Sequence, residues 1–428
     1  MLEERDLEVA YPDRTVAVAD HIVPTDPSTR QRPLPDEQAE TMLATMNENA
    51  AETGLTYYGL DSKNQGITHV VAPELGYTHP GMVVACGNSH TSNHGALGAI
   101  GIGIGTSQIR DVFATQTFAA EKQAVRRVEL TGVPEEGVYG KDLALCAIRE
   151  LGVDGGVGYV YEYGGKAVEA LSVAERLSLC NMSIEGGARA GYVNPDERTY
   201  GYLHGREYVP DAEAFEERKT HWERLRSDED AEYDNVVELA VGDLKPMVTW
   251  GTDPGQSVGV PEAIPDPAGM DGKTRADAEA ALEHMSLEPG DTVARTPIDV
   301  AFIGTCTNGR VADFERAAAV LEGREVADGV RGMAVPGSQR TKRVLEKRGV
   351  DEVFRSAGWQ WREAGCSMCI AMNGDRIHGD ELSISASNRN YVGRQGSDEG
   401  RIVLASSAMV AAASVEGETV DVREVVGA

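Results

Sequence analysis

The sequence predicts an α/β protein made of several units, and three observations support this fold class. The chain has 428 residues with 41% hydrophobic content, more than one compact core accommodates, so we expect two or three domains. Short β-branched runs that end in polar loops alternate with segments of helical periodicity. The segment 251–273 is rich in proline and glycine, which predicts a long connection before a last unit that begins near Ile298.

The first predicted unit contains three strand-and-loop patterns followed by a helix. We predict strands within 14–25, 66–73 and 81–86, because each run is rich in β-branched residues and ends at polar ones. The glycine-dense stretch 95–105 lacks the glycine spacing of a dinucleotide-binding loop. We therefore interpret it as a place of close backbone packing, with a helix after it.

The pattern restarts near Val125, which predicts a second α/β unit. A strand there is followed by a helix at Lys141–Leu151 and a glycine-rich turn. Residues 205–235 are charged and amphipathic, so we expect surface helix. The predicted domains are a first α/β domain at 1–124, a second at 125–290 and a third at 291–428.

Composition restricts the partners and the location of the protein. A formal net charge of -29 repels a phosphate backbone and an anionic membrane, so neither nucleic acid nor membrane is expected to bind. An anionic substrate would need local arginines. The sequence has no long apolar run and no secretory leader pattern, which predicts a soluble, cytoplasmic protein.

Three of the six cysteines form a candidate metal site. Cys306 follows the apolar run IDVAFIG, while Cys366 and Cys369 lie in the turn GCSMC. Three thiolates suit a four-iron cluster with one iron left free to act as a Lewis acid. Spacing alone leaves two alternatives open, a dithiol redox pair and a structural zinc site that includes a residue such as His378. The other cysteines are expected to be small buried hydrophobes: Cys86, Cys146 and Cys180.

Polar residues near the predicted strand ends suggest acid–base chemistry. Asp20 beside His21 can keep an imidazole protonated and oriented as a general acid. His69 lies in one predicted strand and 88–90 follows the next, so we expect these groups to face a shared cleft. The remaining histidines considered are expected to be surface or loop residues: His79, His204, His221 and His284.

Three motifs together resemble the successive signatures of the aconitase/isopropylmalate isomerase superfamily. They are GTCTNGR, GCSMCIAMNGD and SASNRNYVGRQG, in the family's order. The resemblance runs from about Val16 to the C-terminus, and the segments 180–197 and 247–256 are most similar to large subunits of the 3-isopropylmalate-specific branch. It implies a three-domain large subunit without the swivelling domain, and a [4Fe–4S] cluster on Cys306, Cys366 and Cys369.

The resemblance also implies roles for residues around the cluster. The substrate carboxylates would be bound by Asn388 and by two arginines five positions apart, Arg389 and Arg394. Guanidinium groups bind carboxylates bidentately. Glu185 would join the site from the second unit. The implied catalytic residues are Asp20, His21, His69, Asn88, Ser89, His90 and Glu185.

The implied activity is that of a hydro-lyase. The expected reaction interconverts 2-isopropylmalate and 3-isopropylmalate by dehydration and rehydration in leucine biosynthesis. Alternative substrates are homoaconitate and acids of the methylmalate or dimethylmalate type. Two functions of a different class stay open: a cluster-sensing RNA-binding protein, of which the superfamily has members, and an inactive scaffold protein.

The sequence departs from the family pattern in three places. Asn88 stands where the family usually has aspartate, and an amide cannot ionise to anchor a protonated His69. No counterpart of the family's N-terminal strand and loop precedes Arg14, so we expect the natural start to lie upstream. No Gly-Ser-Ser-Arg segment is present, which implies that a separate small subunit carries the catalytic base and that the enzyme is a heterodimer.

Overall fold

The N-terminal part of the chain forms two separate pairs of strands in the computed structural model, which describes residues 2–427. Its elements are β1 (Val16–Val18), α1 (Glu37–Thr53), β2 (Thr56–Tyr58), α2 (Thr68–Leu75), β3 (Val83–Cys86), β4 (Ile100–Gly103) and α3 (Thr106–Thr115). Strand β1 pairs with β2, and β3 pairs with β4, both in parallel. A 3-10 helix, Ser89–Leu97, follows β3 directly and carries several of the predicted polar residues.

The middle part forms a four-stranded parallel sheet. Its elements are β5 (Ala124–Thr131), α4 (Gly140–Leu151), β6 (Tyr159–Gly164), α5 (Lys166–Ala170), α6 (Val173–Asn181), β7 (Gly191–Val193), α7 (Glu197–Leu203), α8 (Ala212–Glu223) and β8 (Asn235–Ala240). The strand order is β7-β6-β5-β8, and every neighbouring pair is parallel. Helices connect successive strands, as parallel pairing requires.

The C-terminal part forms a five-stranded parallel sheet. Its elements are β9 (Met247–Thr249), β10 (Ser257–Gly259), α9 (Gly272–Met285), β11 (Val300–Ile303), α10 (Thr305–Asn308), α11 (Val311–Leu321), β12 (Arg331–Ala334), α12 (Gln339–Lys347), α13 (Val350–Ser356), β13 (Gln360–Trp361), β14 (Leu382–Ser385), β15 (Arg401–Leu404), α14 (Ser407–Glu416) and α15 (Val422–Val426). The order is β13-β12-β11-β14-β15. The strand order reverses between β11 and β14, because β12 and β13 lie on one side of β11 while β14 and β15 lie on the other. In open parallel sheets, ligands bind beyond the carboxyl ends of the strands at such a point.

The predicted α/β class with parallel sheets is confirmed. The largest hydrophobic core packs around the five-stranded sheet, and it also contains Val248, Trp250 and Leu282, which precede residue 291. The domain division at residues 124 and 290 stays a prediction. Within the described residues, no helix combines the length and the apolar character that crossing a bilayer requires.

Three local predictions differ from the structure. The predicted strand at 66–73 is wrong, because the segment forms α2, which is almost wholly buried and ends at Gly76. A short buried apolar run has no exposed face, so its periodicity cannot separate strand from helix. Of the predicted surface helix at 205–235 only α8 is helical, and the predicted connection 251–273 contains strand β10.

The glycine-rich stretch packs closely against neighbouring backbone, as predicted. A Cβ on Gly95 would lie 1.7 Å from the carbonyl oxygen of Gly191, and one on Gly101 would lie 2.0 Å from that of Thr91. Neither oxygen can move without displacing the element that carries it, which is β7 for Gly191 and the 3-10 helix for Thr91. The absence of side chains here therefore lets the 3-10 helix that carries Ser89 and His90 lie directly on β7.

We predict that Gly95→Ala destabilises the protein by at least about 2 kcal/mol, because the added methyl group overlaps the backbone of β7. The matched control is Gly201→Ala. Gly201 lies in helix α7 with open space around its Cα, so alanine there should stabilise by about 0.5–1 kcal/mol. Chemical denaturation of both variants measures the difference, and equal stability of the two would contradict the packing.

Candidate active site

Three cysteines that are distant in sequence meet at the carboxyl edge of the five-stranded sheet. Cys306 follows β11, whereas Cys366 and Cys369 lie in and beside a 3-10 turn after β13. All three are buried, and they share one hydrophobic cluster with Ile67 and Val70 of the N-terminal part. The parallel topology brings them together, because the ends of parallel strands lie at one edge.

Two buried amides hold Cys306. The Nδ2 groups of Asn181 and Asn388 donate to its Sγ at 3.2 and 3.4 Å. Both amides also bond the hydroxyl of Thr307, at 2.8 and 2.9 Å. Burial raises the pKa of the Cys306 thiol to about 12, so a bound metal must supply the charge that ionises it. A donor set of buried thiols with N–H groups aimed at sulfur fits a metal cluster.

The spacing of the sulfur atoms argues against a single zinc ion on these cysteines. Ligands of a tetrahedral zinc at about 2.3 Å place their sulfurs about 3.8 Å apart. Across residues 2–427, the one group of possible ligand atoms within 4.8 Å of one another is Asp20, His21 and Cys366, which includes one cysteine of the three. His378, considered as a zinc ligand, is exposed and lies outside this group.

Asp20 and His21 form a pair at the edge of the cysteine cluster. The Nδ1 atom of His21 contacts the carboxylate of Asp20, and this hydrogen bond raises the pKa of the imidazole above its ordinary value despite burial. On the other side of the ring, Nε2 lies 3.3 Å from Nδ2 of Asn88. The pair faces the sulfur of Cys366, so a proton-bearing ring lies next to the cysteines.

A second group links the N-terminal part to the other two. His90 Nε2 lies 2.9 Å from Oε1 of Glu185, and Arg389 Nε donates to the same oxygen at 2.8 Å. Arg389 also donates to Ser89 Oγ at 3.0 Å. Burial acts to raise the pKa of Glu185, but His90 and Arg389 outweigh it and hold the pKa below the ordinary value. The carboxylate is therefore ionised between His90 and Arg389, and its Oε2 has no hydrogen-bond partner among the described residues.

His69 contacts a second buried histidine, His94, which was not predicted from the sequence. His94 Nε2 lies 3.2 Å from His69 Nδ1, and His94 Nδ1 lies 2.7 Å from the hydroxyl of Thr78. Burial lowers the pKa of His94 to about 3, and burial together with His94 holds the pKa of His69 well below its ordinary value. Both rings are neutral, so an anion at position 88 is not needed to hold a charged His69.

A cavity of about 450 Å³ opens beside this group. It is lined by Asn88 and Ser89 of the N-terminal part and by Ile184, Ala188 and Arg189 of the middle part. The cavity therefore lies between the N-terminal part and the four-stranded-sheet part of the molecule. Its position next to Ser89, which accepts a hydrogen bond from Arg389, joins it to the polar groups described above.

Comparison with known proteins identifies the family. A model of the Aconitase family (aconitate hydratase) matches residues 1–417. The chain belongs to the aconitase family. It is 57% identical over 425 residues to the 3-isopropylmalate dehydratase large subunit of Haloferax volcanii, covering 99% of this chain and 89% of that protein. Proteins of the same name from Salinibacter ruber and Gloeothece citriformis are 56% and 54% identical, each covering 99% of this chain and 90% of the relative.

Membership of the aconitase family implies an iron–sulfur cluster, for which the three converging cysteines are the candidate ligands. Two predicted substrate ligands differ in their surroundings. Asn388 is fully buried with its amide directed at Cys306, so it supports the cysteine. Arg394 lies beside the cluster site, with an Nη2 group 3.8 Å from Cys369 Sγ.

Two further residues of this aconitase-family site were not predicted from the sequence. Asn181 supports Cys306, and buried Arg310 donates to Asn93 Oδ1 and to the backbone carbonyl of Thr307, both at 2.8 Å. Arg310 ends the motif GTCTNGR and Asn181 lies in CNMSIEGG, so the motifs contained them. Their roles depend on contacts between distant segments, which a motif does not reveal.

We predict that acid destabilises the folded chain through His69 and His94. Both are neutral when folded and regain a pKa near 6.5 when unfolded, so below about pH 6.5 the unfolded state binds more protons. Stability should fall as pH drops from 7.5 to 5.5, with a slope of up to about 1.4 kcal/mol per pH unit for each histidine.

Denaturation of His94→Gln at both pH values should show a smaller loss than the wild type. The control is His221→Gln, which alters an exposed position on α8 and should keep the full pH dependence. A wild type whose stability is the same at pH 7.5 and 5.5 would contradict the neutral buried pair.

Proposed function

We propose that this chain is the large subunit of a 3-isopropylmalate dehydratase, which interconverts 2-isopropylmalate and 3-isopropylmalate by dehydration and rehydration in leucine biosynthesis. The observation that carries the proposal is the convergence of three buried thiols with the Asp20–His21 pair and the His90–Glu185–Arg389 group. The names of the relatives, at 53–57% identity over nearly the whole chain, support the same substrate.

The cofactor we propose is a [4Fe–4S] cluster on Cys306, Cys366 and Cys369. When bound, such a cluster supplies an iron without a protein ligand that acts as a Lewis acid on the substrate hydroxyl. The surrounding residues favour it, because Asn181 and Asn388 donate N–H groups to one of the sulfurs. We propose this positioning role for Asn388 in addition to the predicted contact with substrate.

This chain provides the general acid and the residues that bind the substrate carboxylates. His21 is oriented by Asp20, whose hydrogen bond raises the pKa of the imidazole, and a proton on its Nε2 passes to the departing hydroxyl. The Nδ2 group of Asn88 can donate to Nε2 only while that nitrogen is unprotonated, so Asn88 moves away as Nε2 takes up the proton and the substrate enters. Arg389 and Arg394 bind the substrate carboxylates, with the guanidinium of Arg389 oriented by Glu185 and Ser89.

Four buried side chains hold the other groups of the site in position. His69, fixed by His94, presents an unpaired buried Nε2 that can hydrogen bond to a substrate oxygen. His90 and Glu185 hold each other and Arg389 in place. A separate small subunit is proposed to supply the base and to cover the cleft, so this chain alone should be inactive.

The decisive test is the metal content of the anaerobically purified chain. We expect about four irons and four sulfides per chain. Cys306→Ser, Cys366→Ser and Cys369→Ser should each lose the cluster and, with the small subunit added, at least about 100-fold of the isopropylmalate dehydratase activity. The reason is that each removes one of the three protein ligands.

Cys146→Ser is the matched control for these variants. Cys146 is buried in helix α4 and belongs to the core around the four-stranded sheet, apart from the three cysteines. It should keep both the iron and the activity. Zinc in place of iron, or iron retained by all three of the other variants, would reject the proposed function.

A further inference from the structure

The cavity beside Asn88 and Ser89 contains an arginine that the mechanism has not used. Arg189 is exposed in the cavity wall, and its guanidinium has no hydrogen-bond or ion-pair partner anywhere in residues 2–427. Its backbone is fixed, since its N–H donates to the carbonyl of Tyr159 at 2.8 Å. An unpaired cation at a fixed point of the cleft is a ready partner for an anion.

The negative charge of the molecule gives this arginine its significance. The chain carries a formal net charge of -29, with 69 acidic and 40 basic residues, so a cation without an acidic partner in a cleft is a local exception to the negative charge of the molecule. The two other arginines of the site are partly engaged, Arg389 with Glu185 and Arg394 with Cys369. Arg189 is therefore free to neutralise a carboxylate that enters the cavity.

Apart from Gln123, the remaining residues that line the cavity are apolar or glycine. Ile104, Val157 and Ile184 contribute branched side chains, and four glycines and an alanine leave space between them. Val157 has 66% of its surface exposed, so covering it with an apolar group of a ligand would lower the free energy of the complex. The cavity combines one cation with an apolar surface of branched side chains, next to the polar residues Asn88 and Ser89.

We infer that this cavity, bounded by Asn88, Val157, Ile184 and Arg189, binds the part of a hydroxydiacid that does not react. Arg189 binds one carboxylate, while Ile184 and Val157 contact the alkyl substituent. The inference rests on the proposed function and extends it, because it assigns recognition of the alkyl group to the large subunit. Specificity for a branched substituent then depends on apolar contact area in this cavity.

The test is isothermal titration and steady-state turnover of the assembled two-subunit protein with 2-isopropylmalate and with 2-methylmalate, which has methyl in place of isopropyl. Arg189→Gln should weaken the binding of both acids about tenfold or more, because both lose a charge-assisted hydrogen bond. Arg189→Lys should recover part of the loss. Arg218→Gln, which removes an exposed positive charge on α8, should change neither affinity.

Two variants, Ile184→Ala and Val157→Ala, test the apolar part of the cavity. Val157 is exposed, so its replacement should leave folding intact. Each should weaken 2-isopropylmalate more than 2-methylmalate, by a ratio of about threefold to tenfold. The inference would be overturned if Arg189→Gln bound both acids as tightly as the wild type. It would also be overturned if the only effect of Arg189→Gln were weaker association with the small subunit. Wild-type protein that binds the acids without converting them would reject the proposed function alone.

Discussion

The site depends on one interaction, the pair of amide N–H groups that Asn181 and Asn388 direct at the sulfur of Cys306. The three residues come from α6, from the loop after β14 and from the turn after β11. Their contact joins the four-stranded-sheet part to the five-stranded sheet near the point where the strand order reverses. Because the amides are buried and also bond Thr307, the sulfur keeps its position before any metal binds.

Electrostatics explain how a strongly acidic chain accommodates an anionic substrate. The overall charge is spread over the surface, whereas the cleft concentrates cations: Arg189, Arg389 and Arg394 lie around it. Buried Glu185 is paired with Arg389 and contacts His90, so it offsets the charge of Arg389 and not that of Arg189 or Arg394. The neutral pair His69–His94 adds hydrogen-bonding capacity without adding charge.

Much of the site could be predicted from the sequence, because its motifs follow strand ends. Cys306, Cys366 and Cys369 were found by residue type, and Asp20 with His21 by adjacency in the chain. His94 and Arg189 were missed, since their significance depends on neighbours from other segments, Thr78 and His69 in one case and the cavity in the other. The strand predicted at 66–73 was wrong because a fully buried segment has no polar face to reveal its period.

The central claim is that three cysteines hold a four-iron cluster and that the iron without a protein ligand binds the substrate. It is tested most directly by the Mössbauer spectrum of the assembled protein enriched in iron-57, recorded before and after adding 2-isopropylmalate. The account predicts that about one quarter of the iron signal shifts while the rest is unchanged. A spectrum in which no iron responds, from protein that turns over the acid, would contradict it.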